Sequence, residues 1–388
     1  MKAIRFRPPE IESTPELRWV LHRAFARDDL PVAPPRDPET AFDFARRLHL
    51  ASRIAARAAP GRLPEEVGAS AEDFAREHHL AVGNGLRYRA TIQHVAELAA
   101  ARRIPIIVLK GAALALLGLG TPGARNFSDL DVLIPLGRIH ELRSALVASG
   151  WHISPAPRSE HQEAPLTHPA LGMNELHRRI PGVRPPGFRH SFDADVLLDA
   201  GLTDEVPGFD TTCRVPKRSI LIAHALVHSI VQHGFAPDGY PLFRLVVDLQ
   251  SLRADLALLR EAGRFLRDFD LPDLHAIATL CGALESGTAA ELPNGPARVL
   301  LRHLVLAHLS PRYALGLKSH PNALLGPSDL PIPLARLRWA LKVTFLSRAQ
   351  VDQIYGPQKT WIAYAARQLV RPFDLGLRFL RSLQARRE

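Results

Sequence analysis

Apolar positions recur along this chain with two different spacings, and the switch between them divides it into three stretches. Over 39–59, Phe42, Phe44, Leu48, Leu50 and Ile54 follow roughly helical spacing until Pro60-Gly61 and Pro64 break the run. A long helix is predicted over 70–103 from Phe74, Leu80, Leu86, Ile92, Val95 and Leu98, with Gly83 and Gly85 marking an interruption near Asn84. Residues 1–40, with Pro8-Pro9 and Pro34-Pro35 and little periodicity, read as an irregular lead-in. From 104 the pattern alternates between strand and helix. A strand over 104–109 is followed by a short helix over 112–119, a turn at 120–123 and a strand over 127–134. An amphipathic helix over 136–149 ends at Gly150, a natural C-cap, and short strands follow over 151–154 and 172–180. The segment 181–187 is a Pro/Gly-rich loop, and 192–198 fits strand or helix equally. After Pro216 the spacing is helical again, over 218–232, 242–256, one or two helices in 257–285, and 299–309. This pattern predicts an α+β protein: a small mixed sheet flanked by N-terminal helices and a C-terminal helical domain. The boundaries expected from it are 1–85, 86–215 and 216–388.

Size and composition narrow the class. A chain of 388 residues can bury more than one core. Its 46% hydrophobic and 23% charged residues are those of an ordinary globular protein, which excludes collagen-like and disordered classes. The two cysteines, Cys213 and Cys281, are far apart, which points to a reducing cytosol and away from a disulfide scaffold or zinc ribbon. The opening Met1-Lys-Ala-Ile-Arg-Phe-Arg-Pro-Pro9 has no signal-peptide apolar region, and no run approaches the ~20 apolar residues of a membrane span. A cytoplasmic location is therefore expected. The net charge of +10 suits anionic partners, although abundant Arg, Ala, Pro and Leu also fit a GC-rich coding sequence. Much of that excess lies in 334–388, with eleven Lys/Arg against three Asp/Glu, a net +8, interleaved with Trp361, Tyr364, Phe373 and Phe379. Such a tail can meet a membrane surface or nucleic acid; a packing helix with a solvated basic face is the favoured reading.

Candidate chemistry concentrates in Phe127-Ser-Asp129-Leu-Asp131-Val-Leu-Ile134. In a strand, Asp129 and Asp131 share one face while Leu130 and Val132 take the other. Asp is depleted from strands, and two like charges on one face need cationic compensation. Two divalent metals ~3.5–4 Å apart, as in phosphoryl transfer, would supply it. Upstream, Ile104-Pro-Ile-Ile-Val-Leu109 runs into Lys110-Gly111-Ala112, a strand entering a helix whose N-terminus would suit phosphate. Lys110 is then a phosphate contact or an ion-pair partner of the acids, and Gly111 a position of close backbone approach. Arg125 offers a planar fork for phosphate. His224 and His228, at i and i+4, have metal-ligand spacing, but no glutamate follows His224, and core or cleft-facing histidines are favoured. Arg244 and Asp248 share the same spacing and are expected to pair with each other.

Val108-Leu-Lys-Gly-Ala-Ala113 followed by Arg125-Asn-Phe-Ser-Asp-Leu-Asp-Val-Leu-Ile134 resembles a bacterial family of nucleotidyltransferases in the DNA polymerase beta-like superfamily. Met173-Asn-Glu175-Leu-His177 is similar to its glutamate-leucine-histidine strand, and His224-Ala-Leu-Val-His228 with Arg244-Leu-Val-Val-Asp248 to its helical domain. The resemblance covers roughly 85–255. It implies a polymerase beta-like core in which Asp129, Asp131 and Glu175 are catalytic and hold two Mg²⁺ ions, with Mn²⁺ as an alternative. Asp193 and Asp195 are the rivals of Glu175 for the third acid. Lys110, Gly111, Arg125 and Ser128 would bind nucleotide phosphate, and His177, His224, His228, Arg244 and Asp248 would support the site. The implied reaction moves a nucleoside monophosphate from an NTP, with ATP expected, to a peptide, saccharide or other small acceptor, with release of pyrophosphate. A non-catalytic nucleotide or partner binder and a phosphotransferase using the same acids are the alternatives.

Overall fold

Prolines start two of the N-terminal helices, one of them inside the stretch expected to be irregular. The structure is a computed structural model that describes Pro8 and residues 13–58, 62–126, 128–154, 161–186, 191–232, 241–266, 272–310, 360–366 and 368–370. Helix α1 (Pro15–Phe25) falls inside the expected irregular lead-in: Pro15 takes the first turn and the Thr14 side chain accepts from Leu17 N. Helix α2 (Pro38–Arg47) begins the same way behind Asp37, whose carboxylate accepts from Glu39 N and Thr40 N. Proline has no N–H to waste in the first helical turn, so Thr-Pro and Asp-Pro are start signals rather than stops.

The helix expected over 39–59 is two helices. Helix α3 (Ala51–Arg57) follows a break in which His49 adopts left-handed φ of 58°. There His49 N donates to Arg46 O (3.0 Å) and Leu50 N to Ala45 O (2.7 Å), the paired bonds of a Schellman ending with histidine where glycine is usual. A short α4 (Arg62–Val67) leads to α5 (Ala71–Ala100), which runs unbroken through Gly83 and Gly85. Its buried stripe is Phe74, Ala81, Tyr88 and Val95, one every seventh residue, joined by Ile92 and Ala99. Leu80 and Leu86, expected in that stripe, are 57% and 65% exposed. Seven residues are close to two helical turns, so this phase competes with the one chosen from the larger aliphatics.

Next come β1 (Ile106–Val108), α6 (Lys110–Leu116), β2 (Leu130–Leu133), α7 (Ile139–Ala148), β3 (His152–Ile153), β4 (Leu166–His168) and β5 (Gly172–His177). Then α8 (Ala194–Asp199), β6 (Thr203–Glu205) and β7 (Cys213–Pro216) complete the central region. One mixed sheet of seven strands has the order β3-β4-β5-β2-β1-β7-β6. Strand β2 runs antiparallel to β1 and parallel to β5, and β1 is parallel to β7. Every residue of β1 and β2 is buried, as expected of central strands covered on both faces. The α+β class is as predicted. The stretch 192–198 resolves as helix, because the Asp193 carboxylate caps α8 by accepting from Val196 N (2.9 Å). Strands β4, β6 and β7, three or four residues each, are too short for alternation to reveal them.

The C-terminal region is helical: α9 (Arg218–Leu226), α10 (Phe243–Ser251), α11 (Leu256–Gly263), α12 (Leu274–Glu285) and α13 (Pro296–Leu309). The helix expected over 218–232 changes at Val227 into a π-helical turn through Gln232. N-terminal and C-terminal helices pack on each other: the Phe25 and Phe243 rings lie 5.7 Å apart, and Arg53 donates to Gln250 Oε1 (3.0 Å). The basic tail lies outside the described residues except for 360–366 and 368–370.

Candidate active site

Backbone pairing, more than side-chain reach, assembles the acidic centre. In the β2–β5 ladder Asp131 is the register partner of Glu175, and Leu133 that of His177. Two residues apart on β5, Glu175 and His177 project to one face. One ligand atom each from Asp131, Glu175 and His177 lies within 4.8 Å of the others. Asp131 is buried, 2% exposed, so its charge demands compensation. Two bonds provide it: Lys110 Nζ and His177 Nε2 each lie 2.7 Å from Asp131 Oδ1.

Asp129 departs from the expected geometry. Strand β2 begins at Leu130, so Asp129 stands in the approach to the strand and is outside the tight group of three. It is half-buried and accepts from Ser128 Oγ (2.9 Å), which makes Ser128 a support of the acid. Burial and the neighbouring Asp131 charge push its pKa up. Burial acts on Asp131 in the same direction, but the Lys110 charge and the His177 hydrogen bond outweigh it and hold that carboxyl well below the usual range. Burial alone would lower the His177 pKa, yet its bonds to Asp131 and Glu175 raise it. Lys110 is likewise raised, since Asp131 and Asp129 overcome its desolvation.

Lys110 has φ of 50°, a left-handed conformation unusual for a residue with a Cβ, where the chain turns from β1 into α6. Helix α6 thus starts at Lys110 itself, two residues before the predicted start. A Cβ on Gly111 would run into the Arg125 guanidinium, so the glycine makes room for a side chain of the protein itself. That guanidinium is bound to Asp248 on α10, with Nε–Oδ1 at 2.8 Å and Nη2–Oδ2 at 3.2 Å. The expected Arg244–Asp248 pair is therefore replaced: the shared helix face is real, but a planar fork arriving from the 123–126 loop makes the bidentate match. Arg244 lines a separate cavity beside Arg125.

The rival acids do not join the group. Asp193 is spent on the α8 cap, and Asp195 is not among the residues clustered with Asp131. His224 is buried with neither ring nitrogen hydrogen-bonded to a described residue, and burial and the Lys110 charge press its pKa down to about 3. It is a neutral neighbour of the acidic centre. His228 lines a small cavity with Lys110, Arg125 and Asp248.

Sequence reading missed the side chains of α5 that hold this centre. The Tyr88 hydroxyl donates to Ser128 O, beside Asp129, and Thr91 Oγ1 donates to Leu171 O (2.6 Å), beside the start of β5. Three residues apart on one helix face, they fix both acid-bearing segments. Their signal lay in the sevenfold stripe containing Tyr88. Glu163 was missed too. Buried at 3% exposure, it accepts from Arg178 Nε (2.8 Å) and backs the end of β5.

One family matches the chain along residues 34–284, a family described as uncharacterised nucleotidyltransferase. The match spans well over half of the chain, and the protein belongs to that family. No curated protein matches it. The α+β core built round the mixed sheet is thus a nucleotidyltransferase core, with its buried acid and histidine cluster at the β2–β5 pair. Among the described residues, no helix is long and apolar enough to cross a membrane.

Proposed function

We propose that the protein transfers a nucleoside monophosphate from an NTP, with ATP as the expected donor, to a hydroxyl of a small acceptor. The acceptor oxygen bonds to the α-phosphorus, the bond from that phosphorus to the bridging oxygen breaks, and pyrophosphate leaves with the electron pair. The observation that carries the reading is the register pairing of Asp131 with Glu175, with Asp129 two residues upstream, in a chain of a nucleotidyltransferase family.

The donor set fits hard divalent cations: the carboxylates of Asp131 and Glu175 converge, with Asp129 at the approach to β2, and oxygen ligands suit Mg²⁺ or Mn²⁺. Asp129, Asp131 and Glu175 would hold two such ions, which neutralise phosphate charge and lower the pKa of the acceptor hydroxyl. The protein's own groups do the rest. Glu175, the more exposed acid of the group at 15%, would take the acceptor proton. Lys110 and His177 fix Oδ1 of Asp131. Arg125 and Gly111 shape the wall behind Lys110. The two cysteines, buried and unpaired, support the cytoplasmic placement.

A second reading has one observation in its favour. Lys110 and His177 already compensate Asp131, an arrangement that also suits a non-catalytic nucleotide binder. The test is incubation with Mg²⁺, an extract of small molecules and ATP labelled on either the α- or the γ-phosphate. Label from the α-phosphate should enter a product as pyrophosphate is released, and this should vanish in Asp129→Asn, Asp131→Asn and Glu175→Gln. Label transferred from the γ-phosphate would assign a phosphotransferase, and binding without turnover would assign the non-catalytic reading.

A further inference from the structure

A second feature lies on the far side of Arg125 from the acidic centre. A cavity of about 470 Å³ opens between the α2–α3 break, α5, the loop after Gly123 and α10. Arg46, His49, Glu77, Arg125, Asn126 and Arg244 line it. Its volume is within the range of small-molecule sites, ~300–1,000 Å³. Two of these residues, Arg46 and His49, come from N-terminal helices that no part of the acidic centre uses.

The polar lining is mostly basic and is contributed by elements distant in sequence. Three arginines line the space, against one acidic residue, Glu77. Arg125 is held rigid by Asp248, while Arg46 meets Asp43 (3.1 Å) in an exposed pair that costs little to exchange for another anion. His49 takes its place through its left-handed backbone, φ 58°, and its ring packs edge-on against His308 at 5.7 Å. Burial lowers its pKa, and Arg244 and Arg46 lower it further, the response expected of a ring in a positive field. Arginine forks match the oxygen geometry of phosphate.

Arg125 links the cavity to the acids. It forms part of the cavity wall, and the same guanidinium sits over Gly111, next to Lys110 and so to Asp131. We propose that this cavity binds a phosphate-bearing part of a substrate, through Arg46 and Arg244 with Asn126 and His49 beside them. That the anion belongs to a substrate rests on the nucleotidyl-transfer reading; the binding itself does not. Two sources share this chemistry: the polyphosphate tail of the NTP and a phosphomonoester group on the acceptor.

Calorimetric titration of the full chain, without divalent metal, with tripolyphosphate, ATP and glucose 6-phosphate tests the inference. At least one should bind the wild type, and its affinity should fall roughly tenfold or more in Arg46→Gln and Arg244→Gln, the loss of one charge-assisted contact each. Arg46 is on the surface, so its variant stands as the test if Arg244→Gln does not fold. Weakening of ATP and tripolyphosphate together assigns the donor tail. Weakening of glucose 6-phosphate with ATP unaffected assigns the acceptor. No binding of any probe to the wild type, or equal binding in both variants, overturns the proposal. Asp129→Asn separates the two readings, since it should abolish nucleotide transfer and keep anion binding. Transfer that persists in it sinks the enzymatic mechanism and leaves the cavity standing.

Discussion

Arg125 and Asp248, 123 residues apart, form a two-pronged ion pair that joins the loop before β2 to helix α10. Both side chains are mostly buried, at 16% and 6% exposure. A buried charge stripped of its partner is costly. Asp248→Ala should therefore destabilise the protein by roughly 3 kcal/mol. Arg125→Met combined with Asp248→Leu should cost less than the sum of the two single changes. Urea unfolding of the four proteins measures this.

Gly111 depends on that pair. A methyl group there requires the Arg125 guanidinium to move, and moving it breaks the bonds to Asp248. Gly111→Ala should reproduce most of the loss of stability expected of Arg125→Ala. In an Arg125→Ala background the same substitution should add little. A double-mutant cycle read by unfolding gives the coupling, expected at about 1–3 kcal/mol for groups in contact.

Divalent metal should stabilise the fold. A ligand that binds only the folded state at one hundred times its dissociation constant contributes about 2.7 kcal/mol. Thermal unfolding in Mg²⁺ or Mn²⁺ should therefore shift upward by a few degrees, and chelator should reverse the shift. Glu175→Gln removes one charge from the cluster and should shrink the effect; a shift equal to that of the wild type would place the metal elsewhere.

Acid should weaken the protein through His308. Its ring accepts a hydrogen bond from Leu242 N (3.1 Å) and is therefore neutral, and burial, His49 and Arg47 bring its pKa down to about 4. An unfolded histidine titrates near 6.5. As pH falls from about 6.5 towards about 4, the unfolded chain takes up a proton that the folded chain refuses, so stability is lost across that window and this group adds no further loss below it. His308→Gln retains an acceptor without the titration. Its urea midpoint should fall less than that of the wild type between pH 6.5 and 4.5, where equal slopes would refute the assignment.

Much of this centre was legible in the residues because its chemistry is local. Two aspartates in an apolar strand, a Lys-Gly turn upstream and an acid followed by histidine all sit within short segments. The structure places Lys110, Asp131, Glu175 and His177 together. Asp129 was read as a strand residue because alternation gives no information about where a strand starts. The Asp248 partner was misread because helical spacing nominated Arg244, while the winner came from a distant loop. Long-range choices of this kind leave no local trace: the stripe on α5 marks Tyr88 as buried, but not that Tyr88 and Thr91 bond to loops 40 and 80 residues away. The N-terminal helix was lost for a different reason: proline was treated as a break where its geometry favours a beginning.

The in-register pairing of β2 with β5 has an evolutionary corollary. Strand side chains alternate, so a slip of one residue would set Leu176 or Asn174 beside Asp131 and turn Glu175 to the opposite face. The phase is set by the tight β4–β5 hairpin, where His168 Nδ1 accepts from Ala170 N and Leu171 N and Gly172 takes φ of 89°. A single-residue insertion or deletion in 169–171 that shifted β5 would turn the buried Leu176 to the opposite face and erase the acid pair. In this protein loop length at one turn, normally the most forgiving property of a fold, should be as intolerant of change as the carboxylates themselves.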